Sequence, residues 1–128
     1  MKKGLKAKPN LTNANVVSLL GATAPASIDY RNYNGKNYVQ AIKNQGVCGS
    51  CWSFAAVSAV ESYAALANGG NVPNLSEQNL VDCVYKYDSC NTGGNDDEAW
   101  NYLINSQAGG IATAANYPYV SGNTNTVS

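Results

Sequence analysis

The chain predicts a small, mainly helical domain whose chemistry sits at the N-terminus of its central helix. Three observations point there. From about Ser50 to Asn68 the chain has no Gly or Pro and is dominated by alanine. A second helical stretch follows Ser76, and a third, Asp96 to Asn105, opens on three consecutive acids. Two cysteines three residues apart, Cys48 and Cys51, fall where the first of these stretches begins.

Taken in order, residues 1–24 are rich in Lys, Asn and Ala, with only Val16-Val17 and Leu19-Leu20 as apolar pairs. Such a stretch holds no core of its own and reads as a leader. Residues 25–47 alternate aromatic, polar and glycine positions, which predicts irregular chain with short strand-like pieces and a turn at Asn44-Gln45-Gly46. In the first helix Phe54, Val57, Tyr63 and Leu66 sit among small residues on several faces, so close packing on more than one side is expected. Gly69-Gly70 ends it in the position glycine favours. Glu61 lies inside this segment and needs partners if the helix is buried. Ser76 suits the N-cap of the second helix, with Glu77 in the first turn favoured by the helix dipole. Beyond Gly109-Gly110 the chain reaches Tyr117-Pro118-Tyr119, and the polar stretch from Ser121 to Ser128 predicts no closing element.

The bulk numbers narrow the function. At 128 residues and 45% hydrophobic composition the chain can build one globular core. Formal net charge is zero, which argues against a nucleic-acid partner. Residues 1–24 hold four of the eight basic side chains and no acid, so the remainder is mildly acidic. No run approaches the roughly 20 apolar residues a membrane-spanning helix needs, so no membrane partner is expected. The start lacks the apolar core of a signal segment, and the expected natural start therefore lies upstream. Two glycosylation sequons, Asn10-Leu11-Thr12 and Asn74-Leu75-Ser76, matter only in a secretory chain.

Cys48 and Cys51 opening a helix admit three readings on spacing alone. Both are structural; or they form a redox pair; or one is bridged elsewhere and the other is a nucleophile. The surrounding residues favour the third. The run Gln45-Gly46-Val47-Cys48-Gly49-Ser50-Cys51-Trp52-Ser53-Phe54 resembles the active-site signature of papain-like cysteine proteases, of the cathepsin L-like kind. Thioredoxin-type motifs place the tryptophan before the pair, whereas Trp52 follows it. Pro25 to Arg31, Val39 to Gln45, Leu75 to Cys83, Cys90 with Gly93-Gly94, and Tyr117-Pro118-Tyr119 extend the resemblance over about 100 residues in order.

The resemblance implies the left-hand helical domain of the papain-like α+β fold over residues 25–128, with a propeptide remnant at 1–24 and the right-hand β-barrel domain absent. It implies that Cys51 is the nucleophile, at a helix end that favours thiolate. Gln45 becomes an oxyanion-hole donor with the Cys51 backbone N–H. Without the motif, a glutamine satisfying loop backbone is the better reading. Gly49, Ser50, Trp52, Gly93 and Gly94 are expected at the substrate cleft, and Cys48 is expected to pair with Cys90. Peptide or protein substrate, a propeptide, cystatin-like inhibitors and the second, His- and Asn-bearing half are the implied partners. No cofactor and no metal are implied. Lysosomal, vacuolar or secretory settings follow from a disulfide that needs an oxidising compartment.

The sequence also departs from that pattern. It contains no histidine, so the isolated chain is expected to be inactive. Cys83 has no nearby partner after Tyr119 and is expected to be a free thiol or one whose partner is missing. Asn91-Thr92 lengthens the approach to the glycine pair, and Asn95-Asp96 is polar where an apolar pocket is usual. A non-catalytic relative serving as a binding module, and a thiol–disulfide oxidoreductase using Cys48 and Cys51, are the alternative readings.

Overall fold

A computed structural model describes residues 25–85, 89–105 and 110–124. The leader expected at residues 1–24 lies outside them. Helix α1 spans Cys51–Ala67, α2 Glu77–Val84, α3 Ser89–Thr92, α4 Asp96–Asn105 and α5 Ser121–Thr124. Among the described residues there is no strand, only two isolated bridges, Tyr33 with Lys36 and Leu75 with Thr113. No helix there is long and apolar enough to cross a membrane.

The segment before α1 is irregular, as expected, and is held by aromatics and turns. A single 3-10 turn covers Tyr30–Asn32. The Tyr33–Lys36 bridge closes over Asn34-Gly35, both at positive φ, the hairpin chemistry this dipeptide suits. Tyr33 packs edge-on against Tyr38 and at a tilt against Tyr30. Lys36 Nζ then donates to Gly69 O at 2.8 Å, and Gln40 Nε2 donates to Val72 O and Pro73 O, each at 3.1 Å. This segment is thereby tied to the far end of α1.

Helix α1 forms because nothing in it breaks a helix and alanine favours one. It ends where Gly69 and Gly70 adopt positive φ and Gly70 N–H returns to Ala65 O at 2.8 Å. Trp52, Ser53, Ala56, Val57, Glu61 and Ala65 are buried in a broad stripe that covers more than half of the helix, the packing on more than one side that its small residues predict. Tyr63, two turns on from Ala56 on the same side, stands 77% exposed in a groove it shares with Trp100, Leu103 and Ile104. The buried stripe meets α2 and α4. Leu80 and Val81 from α2, Ala99 from α4, and Cys48 and Cys90 complete the core around Trp52. An indole of that size brings a large share of the buried apolar area to so small a domain.

Ser76 caps α2 as expected: its Oγ accepts from Asn79 N–H at 3.0 Å and donates to Tyr117 O at 2.6 Å. Gln78, fully buried, accepts the backbone N–H groups of Val120 and Ser121 on Oε1 at 2.9 and 3.0 Å. Its Nε2 donates to Ser121 Oγ at 2.7 Å. Ser121–Thr124, the described part of the tail, is therefore not an open end. Ser121 is fully buried and α5 closes on the loop before α1. Composition hid this, because these contacts run through backbone and small polar groups.

Glu61 does have partners. Lys43 Nζ lies 3.1 Å from Glu61 Oε1 and 2.6 Å from Glu77 Oε1, with both carboxylates almost wholly buried and Lys43 a quarter exposed. Glu61 Oε1 also accepts Leu75 N–H at 2.8 Å. One ammonium thus serves two buried carboxylates and joins the pre-α1 segment to α1 and α2. Replacing it leaves both acids without their counter-ion. Lys43→Met is expected to cost about 3–5 kcal/mol in urea denaturation, with the m-value retained.

Candidate active site

Cys51 is the first residue of α1, half-buried, with a free thiol. Ser50 occupies the N-cap position but makes no side-chain cap hydrogen bond. The Gln45–Ser50 loop delivers Cys51 to that place, and three other segments hold it. Cys48 is disulfide-bonded to Cys90, the pairing the resemblance implies, and Gly49 N–H donates to Cys90 O at 2.8 Å. Val47 N–H donates to Gly122 O at 2.8 Å. Tyr119 Oη donates to Gln45 O at 2.8 Å and lies 2.6 Å from Ser50 Oγ. A neutral phenol has one proton, and a carbonyl can only accept, so Ser50 is the donor in that contact. Burial holds the Tyr119 hydroxyl above its ordinary range, opposed by the Ser50 hydrogen bond.

Gln45 is half-buried, and its Nε2 donates to Cys48 O at 2.8 Å. The loop-satisfying role is thus present, and it uses one of the two amide N–H groups. That bond orients the carboxamide and leaves the second N–H for another acceptor. The turn at Asn44-Gln45-Gly46 forms as expected, with Asn44 Oδ1 accepting Gly46 N–H at 2.8 Å.

The five residues expected at the cleft are placed less openly. Gly49, Ser50, Trp52, Gly93 and Gly94 are all buried. The Ser50 hydroxyl turns to Tyr119, and the Trp52 ring packs edge-on against Tyr85 with centroids 5.1 Å apart. Gly94 lies under both rings: a Cβ there would stand 2.4 Å from Tyr85 Cε2 and 2.8 Å from the Trp52 indole. Tyr85 Oη accepts Asn95 N–H at 3.0 Å. Burial, then its hydrogen bond with Glu98, pushes that hydroxyl up to about 12, so it stays neutral. Asn95 is buried, and its Oδ1 has no hydrogen-bond partner among the described residues. The polar departure after the glycine pair therefore reaches the interior.

Cys83 is unbridged within this chain, which fits either expectation. With Cys48 committed to Cys90, Cys48 and Cys51 form no redox couple in this structure. Lys43, Gln78 and Gly122 were not marked as site-forming residues by sequence reasoning. Tyr119 was visible only as part of a motif, with no role attached.

The site thus brings together a free cysteine at the head of α1, a bridged cysteine three residues before it and a glutamine amide in the same loop. Comparison with known proteins shows the family. Residues 24–128 match the family described as papain family cysteine protease. A cysteine proteinase of Trypanosoma brucei brucei is 43% identical over 107 residues, covering 84% of this chain and 23% of that protein. A cathepsin L-like proteinase of Phaedon cochleariae is 40% identical over 119 residues, 93% of this chain and 35% of that protein. Among solved structures, the proform of the ragweed pollen cysteine protease Amb a 11 is similar at 42% identity and a TM-score of 0.69. The match covers 83% of this chain and 30% of that one. Digestive procathepsin L 3 of Tenebrio molitor gives 39% and 0.66, over 79% of this chain and 31% of that one. The chain belongs to the papain family of cysteine proteases. Its fold is that family's left-hand helical domain, and it spans about a quarter to a third of the length of these relatives.

Gly46 gives a test of the loop's fixation. It has φ +61°, and a Cβ would stand 2.3 Å from Gly122 O, whereas Gly35 at φ +74° has open space around it. Gly35→Ala is expected to cost about 1 kcal/mol. Gly46→Ala carries the same backbone penalty plus a backbone clash and is expected to cost about 3 kcal/mol or more. Paired denaturation curves of the two variants check this.

Proposed function

We propose that this chain carries the nucleophile half of a cysteine endopeptidase site, and that the complete protein cleaves peptide bonds through a thioester on Cys51. The observation that carries the reading is the free Cys51 thiol at the head of α1 with its neighbour Cys48 bridged to Cys90. The helix end favours the anionic sulfur. That sulfur attacks the scissile carbonyl carbon, and the charge on the carbonyl oxygen is met by the Cys51 backbone N–H and the second amide N–H of Gln45. The C–N bond then breaks, and the amine leaves with a proton. Water hydrolyses the thioester and returns the thiol.

The departing amine needs a proton donor, and the chain holds no histidine. That donor comes, in this reading, from the part of the protein beyond this chain, so the chain alone is inactive. Ile42, fully exposed, and the neighbouring groove lined by Val39, Phe54, Ala55 and Ser58 give the second half an apolar surface to cover. The glycine pair Gly93-Gly94 offers backbone groups to extended substrate, and Gly49 lines the cleft beside Cys51. Buried Ser50 and Trp52 support the cleft wall from behind. Residues 1–24 are the end of a propeptide, a reading supported by the proform structures among the relatives. The Cys48–Cys90 bridge favours a lysosomal, vacuolar or secreted setting.

The test is complementation. With a fluorogenic peptide the chain alone is expected to show no turnover. Co-refolding it with the C-terminal portion of a relative such as the Phaedon proteinase is expected to restore cleavage. Cys51→Ser should abolish the restored activity. Equal cleavage with the Cys51→Ser chain would overturn the reading.

A further inference from the structure

The chain carries two serines at helix N-caps, and they behave differently. Ser76 has extended backbone, ψ 111°, and its hydroxyl accepts from Asn79 N–H in the first turn of α2. That is the ordinary use of the position. Ser50, at the head of α1, has ψ 16° and makes no such bond. Its hydroxyl donates instead to Tyr119 Oη, 69 residues away in sequence. Ser53 N–H and Phe54 N–H both go to the Ser50 carbonyl, at 2.9 and 3.3 Å. Among the described residues no hydrogen bond runs from the backbone N–H of Cys51 or Trp52. The helix that begins at the free thiol is thus the one whose cap is drawn away.

We propose that Tyr119 is a positioning residue that holds the Ser50 hydroxyl off the end of α1, leaving the first-turn N–H of Trp52 free for the negative charge at the active site. This rests on the Cys51 reading given above. A serine left to itself at that position turns its oxygen onto the second or third N–H of the helix. That oxygen would then compete with the Cys51 thiolate for the Trp52 donor. Tyr119 is placed to prevent this. Its ring is fixed edge-on against Phe54, centroids 5.0 Å apart, and its only proton is spent on Gln45 O. Its oxygen is therefore left as an acceptor, and Ser50 supplies the donor. Gly122 fits beside the ring, where a Cβ would stand 2.8 Å from Tyr119 Cε1. The same phenol thus fixes both ends of the Gln45–Ser50 loop, one through a carbonyl and the other through a hydroxyl.

Tyr119→Phe keeps the ring and removes the acceptor. In the full chain, amide hydrogen exchange read by NMR is expected to slow at Trp52 by about tenfold as the Ser50 hydroxyl turns onto the helix end. Alkylation of Cys51 by iodoacetamide should slow with it, while Cys83 keeps its rate. The double variant Ser50→Ala/Tyr119→Phe has no hydroxyl to turn and should return both readings to wild type, a rescue that mere loosening of the loop would not give. Tyr119→Phe with Trp52 exchange within twofold of wild type overturns the proposal, and so does slowing that persists in the double variant. Should Tyr119→Phe fail to fold, Ser50→Ala alone decides: unchanged Trp52 exchange supports the proposal, and faster exchange overturns it. Because exchange is read without substrate, failure of complementation with these exchange results intact would count against the peptidase reading alone.

Discussion

Six residues of loop, Gln45 to Ser50, must arrive at the start of α1 in one conformation, and the rest of the domain is arranged around that requirement. A loop of this length left to itself samples many conformations, and each ordered residue costs about 1–2 kcal/mol of backbone entropy. No single contact offsets that. The loop is instead bound at Cys48 to Cys90, at Val47 to Gly122, and at both ends to Tyr119. The disulfide joins positions 42 residues apart and so removes many open states of the unfolded chain. The hydrogen bonds then select among those that remain.

These contacts depend in turn on α2. Ser76 and Gln78 hold the 117–121 segment by side-chain bonds to its backbone, and that segment carries Tyr119 to the loop. Lys43 fastens the approach to Gln45 from the other side, through Glu61 of α1 and Glu77 of α2. Polar groups in a small core are costly unless fully paired. Here the pairing gives direction that apolar packing alone lacks, since Trp52, Leu80 and Val81 could slide where Lys43 and Gln78 cannot.

Helix positions were legible because their signals are local. The alanine-rich run, the Ser76 cap and the acidic start at Asp96 each declare themselves within one or two turns, and the structure starts α1, α2 and α4 within a residue of expectation. Gly69-Gly70 and Asn44-Gln45-Gly46 were readable for the same reason. Long-range contacts were not. Nothing around Ser121 signals that a polar tail packs under Gln78, and nothing around Tyr119 signals a bond to Gln45. Lys43 left half a signal, since Glu61 in an alanine helix asks for a partner without naming it.

What decides the account is the state of the two cysteines that open α1. A non-reducing digest with trapping of free thiols and peptide mapping reads it directly. The account predicts Cys48 cross-linked to Cys90, with Cys51 and Cys83 both trapped as thiols. A Cys48–Cys51 bridge would contradict it, because the residue placed at the head of α1 would then be one arm of a disulfide and not a nucleophile.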